Sequence, residues 1–215
     1  DERSDIDDWL VSMIYSRLSE VSRTLEEGKL REASNLIYFT IPNDLKWYIK
    51  RKGSSRTVLR EVLSVWARML QPFTPHLAEE IWERMGMDGY ISQAPWPEFD
   101  GSKVSDVALK REEYVTDLLD DLRNIKKMTG IDPKRMIIYT SGDWKWDLMK
   151  DLVIKVKEGD GRINPGEVIK PLMADPELGP YKKMIPKLVT RLSKDIVKMG
   201  EEEKKRFEVL RNEYD

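Results

Sequence analysis

Ile6, Trp9, Leu10, Met13, Ile14, Leu18, Val21 and Leu25 return every three or four positions. That spacing puts them on one face of a helix and is incompatible with a strand, whose period is two. A helix with one apolar stripe must bury it against a partner, so the chain is committed from its first turn to packed helices. Ser4 followed by Asp7 is a variant of the capping box that opens such a helix, and Gly28 closes it.

The same punctuation continues. A second helix is expected from about Leu30 with Ala33, Ile37 and Tyr38 inward. Pro42 is expected to break or kink it, because proline lacks the N–H and clashes with the preceding turn. Residues 43–52 restart as helix and Gly53 stops it. Val58, Val62, Leu63, Trp66 and Met69 mark a third long helix ending at Pro72. A fourth starts at Pro75, since proline is tolerated in a first turn, and closes near Gly86. Helices joined by turns this short form an antiparallel bundle. Residues 89–101, with Pro95 and Pro97, read as an ordered crossing loop pinned by Trp96 and Phe99, and residues 105–128 as a further helix ending at Gly130.

Beyond Gly130, residues 135–140 are a run of strand-forming side chains. They are followed by a helix holding Trp144, Trp146 and Leu148. A strand needs a partner, and the only weak candidate is 152–157, which reads equally well as the end of that helix. Asn164-Pro165 and Asp175-Pro176 read as helix starts. The expected fold is therefore mainly α: an antiparallel helical bundle over residues 1–129, then a small α/β region over 130–215 that is incomplete if the run finds no partner strand.

Composition narrows the function classes. Hydrophobic residues make up 40% of the chain, with seven Trp and eight Tyr, too much apolar material for a disordered segment. With no cysteine and a single histidine, His76, disulfides, thiol chemistry and Cys/His zinc patterns are excluded. No apolar run approaches the roughly 20 residues of a spanning helix, and the acidic start is unlike a targeting peptide. The expectation is a cytoplasmic protein without membrane contact.

The chain has no G-x-x-x-x-G-K-[ST] loop, no G-x-G-x-x-G and no nucleophile with a second histidine to serve it. No catalytic residue and no metal ligand is expected. His76 could act as a base, but in a first turn beside prolines it reads as a surface or packing residue. Glu79 and Glu80 could pair as carboxylates, but read as first-turn acids favoured by the helix dipole.

Two basic features stand out against a net charge of -2. Lys46, Lys50, Arg51, Lys52, Arg56 and Arg60 fall within 15 positions that hold no acid, and Trp47 is interleaved with them. Cations alternating with an aromatic suit phosphate tracking with stacking on an unpaired base; an ordinary amphipathic helix gives the same pattern. Further on, Lys187, Arg191, Lys194 and Lys198 share about 60° of arc, with Leu188, Leu192, Ile196 and Met199 opposite and Asp195 the one acid among them. A solvated face explains this second pattern too. Trp66, Trp82, Trp96, Trp144 and Trp146 are assigned to packing.

The segment Leu70-Gln-Pro-Phe-Thr-Pro-His-Leu-Ala-Glu-Glu-Ile-Trp82, followed by Ala94-Pro-Trp-Pro97, resembles the helical tRNA-binding domain of class I synthetases for leucine, isoleucine and valine. Asp8-Trp9 and Ser12 stand where that domain opens. Asn43-Asp-Leu-Lys-Trp-Tyr48 looks like the leucine enzymes, and Tyr139-Thr-Ser-Gly-Asp-Trp-Lys-Trp146 is similar to the C-terminal region of archaeal and eukaryotic leucyl-tRNA synthetases. The resemblance runs from Asp8 to about Met199. It implies a parent enzyme that activates leucine with ATP and magnesium and charges leucine tRNA, while this portion, inactive alone, grips the tRNA body and the long variable arm. The nucleotide-binding signatures of the catalytic domain are absent. Arg191-Leu-Ser-Lys-Asp195 echoes one of them by chance, and the β-rich end expected after Arg206-Phe-Glu-Val-Leu210 is missing. Two alternatives remain open: the corresponding part of a valine or isoleucine enzyme, and a helical scaffold whose basic ridge meets an acidic protein.

Overall fold

The computed structural model describes residues 3–158 and 163–200. Among them the chain is helical, and it divides into two compact units, Asp1–Asp120 and Asp121–Asp215.

In the first unit α1 (Asp5–Glu26) begins where the capping box places it: the Asp7 carboxylate accepts from the Ser4 backbone N–H at 3.0 Å and from its hydroxyl at 2.6 Å. The stripe read from the sequence is the core. Leu10, Ile14, Leu18 and Val21 are sealed from solvent against Ile37, Ile41, Val62 and Met69. Each such side chain is worth about 1.5–3 kcal/mol of burial, whereas an exposed i,i+4 pair such as Arg84–Glu80 is worth about 0.3–0.5 kcal/mol. The apolar seam, not the surface charge, holds this unit together.

Pro42 does not break the chain. α2 (Leu30–Asn35) runs through a π turn at Leu36–Thr40 into α3 (Ile41–Lys50), and the Ile41 N–H reaches back five residues to the Leu36 carbonyl. The wider turn takes up the misfit between the proline ring and the preceding turn, so Pro42 sits in the first turn of α3, where its missing N–H costs little. α3 ends in a Schellman cap: Gly53 N–H bonds the Tyr48 carbonyl at 2.9 Å and Lys52 N–H bonds that of Ile49 at 3.0 Å. Lys52, with φ 67°, takes the left-handed position usually given to glycine. Gly53 is required for another reason, since a Cβ there would lie 2.2 Å from the buried Tyr48 ring.

α4 (Arg56–Leu70) and α5 (Pro75–Arg84) complete the sequence of short-linked helices, α4 packing on both α1 and α5. The crossing loop is held differently from the expectation. Ile91 and Pro97 are buried and the Glu79 carboxylate accepts from the Ile91 and Ser92 N–H groups at 3.0 and 3.2 Å, whereas Phe99 is exposed. Trp96 contributes a hydrogen bond from its indole to Ser22 at 3.0 Å. α6 (Asp106–Thr129) is anchored where the Ser12 hydroxyl of α1 accepts the Ser105 N–H at 2.9 Å.

The second unit has its own core. α7 (Asp143–Glu158), α8 (Pro165–Ala174) and α9 (Ile185–Lys198) bury Leu148, Leu152, Val156, Val168, Val189 and Ile196 together. Asn164 caps α8 as expected, its side chain accepting from Gly166 N–H at 3.1 Å. Asp175-Pro176 opens a turn, ending in a 3-10 turn at Gly179–Tyr181, rather than a helix. No strand forms at 135–140 among the described residues, and Met136, Ile137, Ile138 and Tyr139 are exposed. The candidate partner 152–157 belongs to α7, so among the described residues the run has no ladder to join. The mainly α expectation holds, the described residues of this unit are helices and turns, and Arg206–Leu210 lie outside the described residues.

Ser193 faces the α9 core with its hydroxyl unpaired. An unsatisfied buried hydroxyl is costly, and alanine also has the better helix propensity. Ser193→Ala should stabilise the second unit by about 1 kcal/mol, read as a higher denaturant midpoint at unchanged slope; a lower midpoint would mean the hydroxyl is satisfied.

Candidate nucleic-acid interface

The first basic feature lies where α3 turns into α4, and a buried tyrosine sets that corner. The Tyr48 hydroxyl donates to Asp7 of α1 at 2.5 Å and accepts the Ser55 N–H at the start of α4 at 3.0 Å. One side chain thus ties three helix ends. Burial, reinforced by the neighbouring Asp7 carboxylate, pushes the Tyr48 phenol up to about 12. Burial also works to raise the Asp7 carboxyl, but hydrogen bonds from Ser4 and Tyr48 outweigh it and hold that group below its ordinary value.

Around this corner Lys46, Lys50, Lys52, Arg56 and Arg60 are exposed. Lys50 lies 5.3 Å from the Trp47 ring centre, and Arg60 reaches the Gly86 carbonyl at 3.5 Å. α4 has no acid in its first turn, so its positive end adds to the same field.

Trp47 and Arg51 meet an acid from another helix. Glu112 of α6, 92% excluded from solvent on its side chain, accepts from the Trp47 indole at 2.7 Å and from Arg51 Nε at 2.7 Å. Trp47 also lines a cleft of about 430 Å³ together with Trp9, Asp44, Glu112, Glu113 and Asp117. Burial raises the Asp44 carboxyl, with Arg17 at 3.2 Å opposing that. A cleft lined by four carboxylates disfavours phosphate, so the stacking role read for Trp47 finds no support in its surroundings. The sequence stretch holds no acid, but the fold supplies one from 61 residues beyond Arg51.

The second feature is geometrically cleaner. Lys187, Arg191, Lys194 and Lys198 are all exposed on α9, while Ile185, Val189, Ser193 and Ile196 form its buried seam. At 100° per residue that seam centres almost diametrically opposite the cations. Leu188, Leu192 and Met199 are half-buried on one flank, so the underside is rotated from the one read in the sequence. Arg191 meets Asp195 at 3.6 Å, an exposed i,i+4 pair that neutralises part of one charge. The four cations span 12 residues of helix, about 16 Å from first to last.

His76 is exposed; α5 has no acid in its first turn, so Glu79 and Glu80 are not the first-turn acids expected, Glu79 being spent on the crossing loop and Glu80 pairing with Arg84 at 2.7 Å. Trp82 is buried and Trp66 is half-buried with its indole bonded to the Ile37 carbonyl at 2.9 Å, as packing residues should be. Trp144 is half-buried, whereas Trp96 and Trp146 are largely at the surface. No helix among the described residues is long and apolar enough to cross a membrane.

A mainly helical first unit with its motifs on α1, α3 and α5 meets a matching family at this point. The family described as the anticodon-binding domain of tRNA ligase matches residues 7–138, and the chain belongs to it. Over nearly its whole length the chain is also similar to leucine–tRNA ligases: 40% identical over 96% of the chain to that of Methanococcoides burtonii, 37% over 99% to that of Methanocaldococcus jannaschii, and 36% over 91% to that of Methanothrix thermoacetophila. It spans 21% of the length of each of these relatives.

Proposed function

We propose that this chain is the tRNA-gripping portion of a leucine–tRNA ligase, holding leucine tRNA through cations at the α3–α4 corner and along α9. The observation that carries it is the α9 ridge: four exposed cations set opposite a buried seam, within a chain of a tRNA-ligase family. The leucine identity of the relatives favours that enzyme over its valine and isoleucine counterparts. Phosphate contacts of this kind position RNA without reading its sequence, so selectivity comes from unpaired bases and from the direction of a helical arm, here the long variable arm. In this reading the portion lacks catalysis by itself, leucine activation with ATP and magnesium belongs to the rest of the parent, and the complex works in the cytoplasm.

Anisotropy titrations against leucine tRNA, the same tRNA without its variable arm, and an unrelated tRNA test this. Log affinity should fall with log salt at a slope of roughly 0.7–0.9 per neutralised phosphate, and removing the arm should weaken binding selectively. Equal binding of all three would leave a non-specific basic surface; no binding, or binding indifferent to salt, would remove the grip.

A further inference from the structure

Trp144 and Tyr181 come from different parts of the second unit, yet their ring centres lie 5.3 Å apart at an interplanar angle of 35°. Lys145 places its ammonium 5.7 Å from the Trp144 ring centre. Trp144 belongs to the first turn of α7 and is half-buried against the core; Tyr181 ends the 3-10 turn before α9 and is 43% exposed. The turn is fixed rather than loose. Leu178 is buried in the core, its carbonyl accepts the Tyr181 N–H at 2.9 Å, and the Tyr181 carbonyl accepts the Met184 N–H at 2.8 Å.

A tyrosine that merely covered Trp144 would be expected to bury its own ring. Here a large part of Tyr181 is left to solvent on a rigid support. Onward from the turn the charge is one-sided: from Gly179 to Lys194 the chain carries Lys182, Lys183, Lys187, Arg191 and Lys194 and no acid, while Asp143 and Asp147 flank Trp144 on α7. An aromatic platform leading directly into a run of cations is the arrangement that binds single-stranded nucleic acid, with bases stacked on rings and phosphates on the amines.

We infer that Tyr181, backed by Trp144 and flanked by Lys145 and Lys182, is a stacking platform for one unpaired nucleobase of the RNA whose phosphates lie along α9. This rests on the RNA-binding reading above and adds to it a residue that selects unpaired over paired RNA. Stacking is tolerant of base identity because every base has a π face, so the platform senses whether a base is extruded, not which base it is.

The full chain would be titrated with two RNAs of equal phosphate count, a hairpin carrying a single unpaired 2-aminopurine in its loop and a fully paired blunt duplex. Tyr181→Ala and Tyr181→Leu should weaken hairpin binding roughly 10-fold and abolish the wild-type quenching of 2-aminopurine, with duplex binding unchanged. Tyr181→Phe, which keeps the ring, should restore both. Circular dichroism of the variants reports whether the unit remains folded. Equal affinity of Tyr181→Leu and wild type for the hairpin overturns the platform, as does an equal loss on both RNAs. In either case salt-dependent wild-type binding leaves the α9 grip standing, and failure of the wild type to bind either RNA overturns both.

Discussion

Replacing Trp82 by alanine should cost the first unit about 3–5 kcal/mol. The indole is 7% exposed on α5, packed into the core, with its N–H directed at the Asp88 carbonyl at 3.4 Å. Truncation removes the transfer free energy of the ring and leaves a void that helices α4 and α5 cannot close without losing their own contacts. It also strips the carbonyl of Asp88, just ahead of the crossing loop, of its indole partner. The midpoint of the first unit's urea transition should fall with little change in slope. The second unit, whose core contains none of these residues, should unfold as before. A near-neutral midpoint would show that Trp82 is not a core residue. Loss of both transitions together would show that the units do not unfold independently.

Periodicity found what periodicity can see. The stripes of α1 and α4, the capping box at Ser4, the proline start of α5 and the cations of α9 are local patterns, and each depends on neighbours within a turn or two. What escaped the sequence depends on partners far along the chain. Glu112 captures Trp47 and Arg51 across more than 60 positions, and no pattern within 46–60 announces it. Residues 135–140 have the side chains of a strand, but a strand is defined by its partner, and among the described residues the candidate segment is claimed by α7. Pro42 was legible as a disturbance but not as a π turn, because the choice between a break and a wider turn rests on Ile37 and Ile41 both having a core to enter. The Trp144–Tyr181 pair joins two segments 37 positions apart, and assigning Trp144 to packing hid it. A signal was present: a tyrosine beside glycine and proline at the head of an acid-free cationic run.

Tyr48→Phe should destabilise the first unit by about 2–4 kcal/mol at neutral pH, and the size of that loss should depend on pH in a particular way. Removing the hydroxyl leaves the buried Asp7 carboxylate with Ser4 as its remaining hydrogen-bond donor and deprives the Ser55 N–H of its acceptor, so the ends of α1, α3 and α4 lose their common tie. In the wild type the folded phenol titrates at about 12, whereas an unfolded tyrosine titrates near 10. The stability this group contributes is therefore whole below about pH 10 and disappears as pH rises from there through 12, a loss of about 2–3 kcal/mol. Phenylalanine has nothing to ionise, so the gap between wild type and variant should narrow across that interval, while other titrations, common to both proteins, cancel. On the acid side the sign reverses. Asp7 is held below its ordinary value, so its contribution is present above about pH 4 and is lost as pH falls through the folded value; without Tyr48 that loss should begin at higher pH. Urea midpoints of the two proteins from pH 3 to pH 12 measure both limbs. A gap that stays constant from pH 7 to pH 12 would mean that the phenol is not held neutral by its burial at the α3–α4 corner.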